Sequence, residues 1–169
     1  MLKDWRSIPS VPQFKASPEG EILNTKTGAI MSPSVNAQGV LKVSVHVDRV
    51  TTTRSVAILV AEAFLTDPYP EQFNSIIHVN ADRLDCRAVN LMRRPRSFAV
   101  RYHRQFADPR MDSPGLRGHH YHLLDTGERF ASPREPAMKY GLLGNDILIN
   151  TLNHERVWPG GYRFEFEKD

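Results

Sequence analysis

The side chains of this sequence with the strongest chemical potential lie in its middle third. His78 stands in the apolar run Ile76-Ile77-His78-Val79 and is followed by Asp82, Asp85 and the single cysteine, Cys86. A histidine titrates near neutrality and can take a proton from water or ligate a metal, and carboxylates are the hard oxygen donors that magnesium prefers. One cysteine excludes an internal disulfide framework and any multi-cysteine zinc or iron-sulfur centre, so a metal would rest on His, Asp, Glu or Asn. His119, His120 and His122 are clustered, with His103 and His154 elsewhere. Adjacent histidines converge on one ion less readily than an i, i+4 helical pair, and these read as a solvated cluster beside a linker.

The second chemical signal is cationic. Between Arg83 and Arg117 nine arginines are set against only Asp85, Asp108 and Asp112, a surplus larger than the +3 of the whole chain. Sixteen of the 22 basic residues are arginine, whose planar fork matches phosphate oxygens and guanine edges. Nucleic acid is the partner this suggests, with a solvated arginine-rich helix face as the plain alternative. A chain of 169 residues, 40% hydrophobic and 24% charged, can build a core. It has no run of about 18 apolar residues and no apolar core behind Met1, which predicts a cytoplasmic protein without a membrane partner.

Several elements must position these groups. The segment from Trp5 to about Val56 has short alternating stretches, clearest where Leu41, Val43, Val45 and Val47 alternate with Lys42, Ser44 and His46, and turns at Glu19-Gly20, Thr27-Gly28 and Asn36 to Gly39. Small antiparallel strands are expected. Val56 to Leu65 predicts a short buried helix ending before Asp67-Pro68. Ser75 to Val79 predicts a strand, and Ser97 to Phe106 a basic helix capped by Ser97. Two prolines, two glycines and mixed charge at 108–118 have linker composition, dividing residues 1–107 from 119–169. Beyond it, two strands flank Asp125-Thr126-Gly127. A helix follows with Ser132 as cap, running to Tyr140 with Gly141 as its C-cap, and a second spans Asn145 to about Asn153, proportions that fit a helix-turn-helix. Gly161 to Glu167 closes as a strand, while Trp5 and Trp158 are expected as packing residues.

Taken together, four stretches resemble phage-type HNH homing endonucleases. Trp5, Ile8, Phe14, Ser17 and Gly20 fit the family's N-terminal module. Val56 to Phe64 fits its VHRLVAxAF-like segment, Ile76 to Arg93 the HNH core in length and frame, and Gly161 to Phe166 its GYxFxY-like end. The resemblance implies an α+β fold with a small antiparallel N-terminal sheet, a ββα-metal-like HNH core and a C-terminal helix-turn-helix-like α/β mini-domain. It also implies that His78 stands where the family's general base stands. The departures fall on the chemistry. Ile77 replaces the aspartate or asparagine that precedes the histidine, Asn80-Ala81 the Asp-Gly pair, Asp85-Cys86 the tandem asparagines, and Arg93 the closing tryptophan. Ala99 occupies the place of a further ligand and Ala57 that of a histidine.

Family members hydrolyse a phosphodiester with one divalent cation and a histidine base. Here the base appears without its metal, Asp82, Asp85 and His103 being the candidate replacement ligands, and Asn90 is expected to fix the loop. The expected function is therefore a DNA-binding protein with cleavage lost or impaired, needing no cofactor to bind double-stranded DNA. The alternatives are an active Mg2+- or Mn2+-dependent nuclease, and an interaction module for a phage or host protein complex in the host cytoplasm. Arg83, Arg87, Arg93, Arg94, Arg96, Arg101 and Arg104 are the candidate phosphate contacts, and Asn145, Asn150, Asn153 and Arg156 the candidate base readers.

Overall fold

Period-two alternation in the N-terminal segment becomes a succession of short antiparallel strands, seen in a computed structural model that describes residues 2–168. Strands β1 (Arg6–Ser7), β2 (Phe14–Ala16) and β3 (Ile22–Asn24) form one three-stranded sheet. A second contains β4 (Ser34–Val35), β5 (Leu41–Val47) and β6 (Val50–Ser55). In β5 the alternation is met literally, with Val43 and Val45 buried and Ser44 and His46 exposed. Helix α1 (Val56–Phe64) follows without a loop, because the Ser55 side chain accepts from the Ile58 amide and so caps the first turn. Six of its nine residues are buried, and Leu59, Val60, Phe14, Ile22 and Val45 share its core. Ala57 lies inside this core, where a histidine would have to be desolvated.

Two strands carry the HNH-like stretch. β7 (Ser75–His78) pairs antiparallel with β8 (Leu91–Arg94), setting Ile77 opposite Met92 and His78 opposite Leu91. The intervening loop is held from inside by buried Asn90, whose amide donates to the Asp85 carbonyl at 2.9 Å, in agreement with its expected structural role. Gly20 is required beneath this loop: its φ is +88° and an added Cβ would lie 2.9 Å from the Cys86 carbonyl oxygen. At Ala81, aligned with the family's glycine, the backbone keeps a left-handed φ of 65°, a conformation costly for a residue with a Cβ.

The chain divides into two compact units, one running through His78 and including Asp82–Arg96, the other containing Val79–Ala81 and the chain from Ser97 onward. The second is built on α2 (Arg96–Gln105), a sheet of β9 (His120–Leu123), β10 (Glu128–Phe130) and β11 (Phe164–Glu167) with β9 central, and helices α3 (Arg134–Tyr140) and α4 (Gly144–Leu152). Tyr121, Leu123, Leu142, Ile147 and Phe164 form its core. Fully buried Tyr102 places its hydroxyl between the carbonyls of Val79 and Ala137, 3.0 Å from the latter, and so ties residue 79 to this unit.

The division comes earlier than composition suggested. Segment 108–118, expected as a linker, contains a 3-10 turn at Pro109–Asp112 whose Met111 is buried in the second core, while Arg134 clamps Asp112 at 2.6 Å. An apolar anchor and an ion pair override its polar, proline-rich surface. Helix starts also move. α2 begins at Arg96, which puts Ser97 inside the first turn instead of at the cap, and α3 begins at Arg134 after Pro133, not after Ser132. Gly141 ends α3 with φ 65°, the left-handed stop that was expected. Trp158, expected as a packing residue, packs edge-on to Phe98 while half exposed. Among the described residues no helix is long and apolar enough to cross a membrane.

Candidate functional site

His78 ends β7 and is only 7% exposed. Its Nε2 lies 3.8 Å from the Sγ of buried Cys86, across the loop. Burial, reinforced by the Arg83 charge and opposed by Asp82 and Asp85, lowers the imidazole pKa to about 4. The same burial, followed by the Asp85 and Asp82 charges, pushes the Cys86 thiol up to about 11. Both groups are therefore neutral at pH 7, an imidazole of weak basicity beside an unreactive thiol.

The replacement ligands are otherwise engaged. Asp85 takes a bidentate grip from Arg87, at 2.8 and 2.7 Å. Asp82 Oδ1 accepts the Leu84 amide at 3.0 Å, turning the loop on itself. His103 lies on α2 in the second unit, edge-on to Tyr102. Ile77, where the resembling family has a ligand, is a hydrocarbon at 0% exposure, and Ala99 offers a buried methyl group. Among the described residues no group of three His, Cys, Asp or Glu side chains comes together. The donor set does not fit the divalent cation of that family.

The arginines fall into two groups. Arg87 is committed to Asp85 as above. Arg93 lies on β8 with Nη2 3.4 Å from the Ala61 carbonyl and 3.3 Å from that of Leu65, its guanidinium 4.1 Å from the Tyr69 ring centre. It closes the C-terminal end of α1, where a cation is favoured by the helix dipole. Arg94 folds onto the Arg93 carbonyl at 2.7 Å, and Arg83 reaches the Gln38 carbonyl at 3.4 Å. Arg96, Arg101 and Arg104 instead lie exposed along α2, whose opposite face buries Phe98, Ala99 and Tyr102. Among the described residues Arg101 alone of these three approaches an acid, Asp146 at 3.9 Å.

On α4, Asn145 is exposed and Asn150 half-buried, while Asn153 is exposed at the C-cap. Exposed Arg156 donates to the Gly161 carbonyl at 3.0 Å. Sequence reasoning missed Gln105, whose Oε1 accepts the Gly144 amide at 2.7 Å and whose amide donates to the Leu142 carbonyl at 3.0 Å. It caps α4 from 39 residues away, so no local signal marks it. Also missed were Ile149 and Leu152, exposed between the asparagines; their i, i+3 spacing opposite Ile147 and Thr151 was a readable signal. The histidine cluster is half-buried, His120 and His122 on β9 and His119 just before it, with His122 Nδ1 3.4 Å from Glu167, and is less solvated than expected.

No family model matches the chain, and no curated protein matches it in sequence. Among solved structures it is similar to the HNH homing endonuclease I-HmuI, described for DNA binding and cleavage. The TM-score is 0.50 at 18% identity, covering 98% of this chain and 99% of that one. Across its whole length, therefore, this chain has a mixed α+β fold similar to that of an HNH homing endonuclease.

Proposed function

We propose that this protein binds double-stranded DNA on an HNH-endonuclease-like scaffold and that its phosphodiester cleavage is lost or impaired. The observation that carries this reading is the His78 pocket. The histidine that resembles the general base is buried against Cys86 at 3.8 Å, and its neighbour Ile77 supplies hydrocarbon where a cation needs oxygen. Each 1.36 kcal/mol lost from transition-state stabilisation is about a tenfold loss of rate, and a catalytic cation contributes several kcal/mol. DNA binding requires none of those missing groups. It is supported by the fold, by the DNA-binding neighbour, and by the exposure of Arg96, Arg101 and Arg104, cations that can meet phosphates without a cofactor.

The test is a nicking assay on supercoiled DNA with Mg2+ or Mn2+, read together with band shifts, for the wild type and His78→Ala. Band shifts without nicking, unchanged by the substitution, are expected. Metal-dependent nicking that disappears in His78→Ala would establish an active nuclease and overturn the loss of cleavage. Absence of both signals would overturn DNA binding and favour a protein-interaction module.

A further inference from the structure

Helix α4 presents an outward face that combines amides with aliphatic side chains. Ile147 and Thr151 turn inward at 0% and 2% exposure. The opposite face carries Asn145, Ile149, Leu152 and the C-cap Asn153, with Ile149 and Leu152 each 44% exposed. Neither lysine nor arginine occurs in its nine residues, GNDILINTL. Cations stand instead at its two ends. Arg101 approaches the N-terminal end through Asp146 at 3.9 Å, and exposed Arg156 follows the C-terminal end. A helix of this length spans about 13 Å, close to the width of about 12 Å of the B-DNA major groove.

We infer that α4 reads adenine and thymine: its exposed asparagines recognise the adenine edge, Ile149 and Leu152 pack on thymine methyl groups, and Arg101 and Arg156 meet the flanking phosphates. This rests on the DNA-binding reading above and adds the base chemistry. An asparagine amide pairs with adenine N6 and N7, whereas the thymine methyl is the apolar feature of the major groove and guanine is most often read by arginine or lysine. α4 offers both features needed for A·T pairs and lacks the arginine and lysine most used for guanine, while its one acid, Asp146, which could accept from cytosine, faces Arg101 at 3.9 Å. Exposed aliphatic side chains between amides then have a purpose, because contact with a thymine methyl takes them out of water.

The experiment selects bound duplexes from a randomised pool with the wild-type protein. The selected duplex is then compared with the same duplex carrying deoxyuridine for thymine, which removes only the methyl group. An A·T block is expected in the selected site, with affinity falling about fourfold for each contacted methyl removed. The double variant Ile149→Ser, Leu152→Ser should bind the thymine and uracil duplexes equally, and Asn145→Ala, Asn153→Ala should relax the choice of adenine. Because the pool and the uracil duplex probe the unaltered protein, misfolding of a variant cannot produce the result. Binding that selects G·C pairs, selects nothing, or ignores the thymine methyl overturns the inference while leaving DNA binding intact. Failure to retain any duplex overturns both.

Discussion

At the scale of single residues, His78 makes burial measurable. Its pKa is near the usual 6.5 in the unfolded chain and about 4 in the folded one, so between those values the unfolded state binds more protons. Stability must therefore fall as pH drops from about 6.5 towards 4, and no further on this group's account below that. A shift of this size corresponds to a loss on the order of 3 kcal/mol. Urea titrations across this range should show the decline in wild type and a much flatter profile in His78→Leu, which has nothing to protonate there. A parallel decline in both proteins would show that His78 is not the group responsible. Glu128 works in a lower window. Lys139, Tyr140 and Thr126 hold its carboxylate down to about 2, so the stability it contributes persists until pH falls below its ordinary range.

Among the elements, α1 gives the clearest test of a single long-range contact, made by Arg93. Arg93 stacks over Tyr69 and faces the last carbonyls of the helix, combining a cation–π contact with a favourable charge at a C-terminus. Arg93→Ala should cost about 1–2 kcal/mol in chemical denaturation, and Arg93→Lys should restore little, because a point charge cannot stack and span two carbonyls. Full recovery by lysine would reduce the role to charge alone. The helix itself was readable from Val56 to Leu65, since its apolar run and the following Asp-Pro act locally, whereas its Ser55 cap came only with the structure. β5 was readable by its alternation and α3 by the glycine that ends it. The partner of Arg93 was not readable, nor were the Gln105 cap of α4 and the burial of Met111, because each depends on a contact tens of residues away. In the candidate site, the position of His78 at the end of a strand was legible from its apolar run, and Ile77 beside it is the buried hydrocarbon that run predicts. The Cys86 contact that closes the pocket depends on how the loop folds back.

For the molecule as a whole, the surplus of arginine overstates the number of charges available to a polyanion. Arg6, Arg87, Arg110 and Arg134 each grip a nearby aspartate, and Arg129 holds Glu167. Arg93 is spent on the end of α1. Arg96 and Arg104 are exposed and form no ion pair among the described residues. Counterion release counts only cations that meet phosphates, each adding about 0.9 to the slope of log affinity against log salt on duplex DNA. Measured by band shift from about 50 to 200 mM salt, the slope should become shallower by about 0.9 in Arg96→Ala and again in Arg104→Ala. In Arg87→Ala the slope should stay near the wild-type value, since that guanidinium is already neutralised, and any loss of affinity should be the same at every salt concentration. A shallower slope for Arg87→Ala with unchanged slopes for the α2 variants would invert this assignment and move the phosphate-binding surface from α2 to the loop around Asp85.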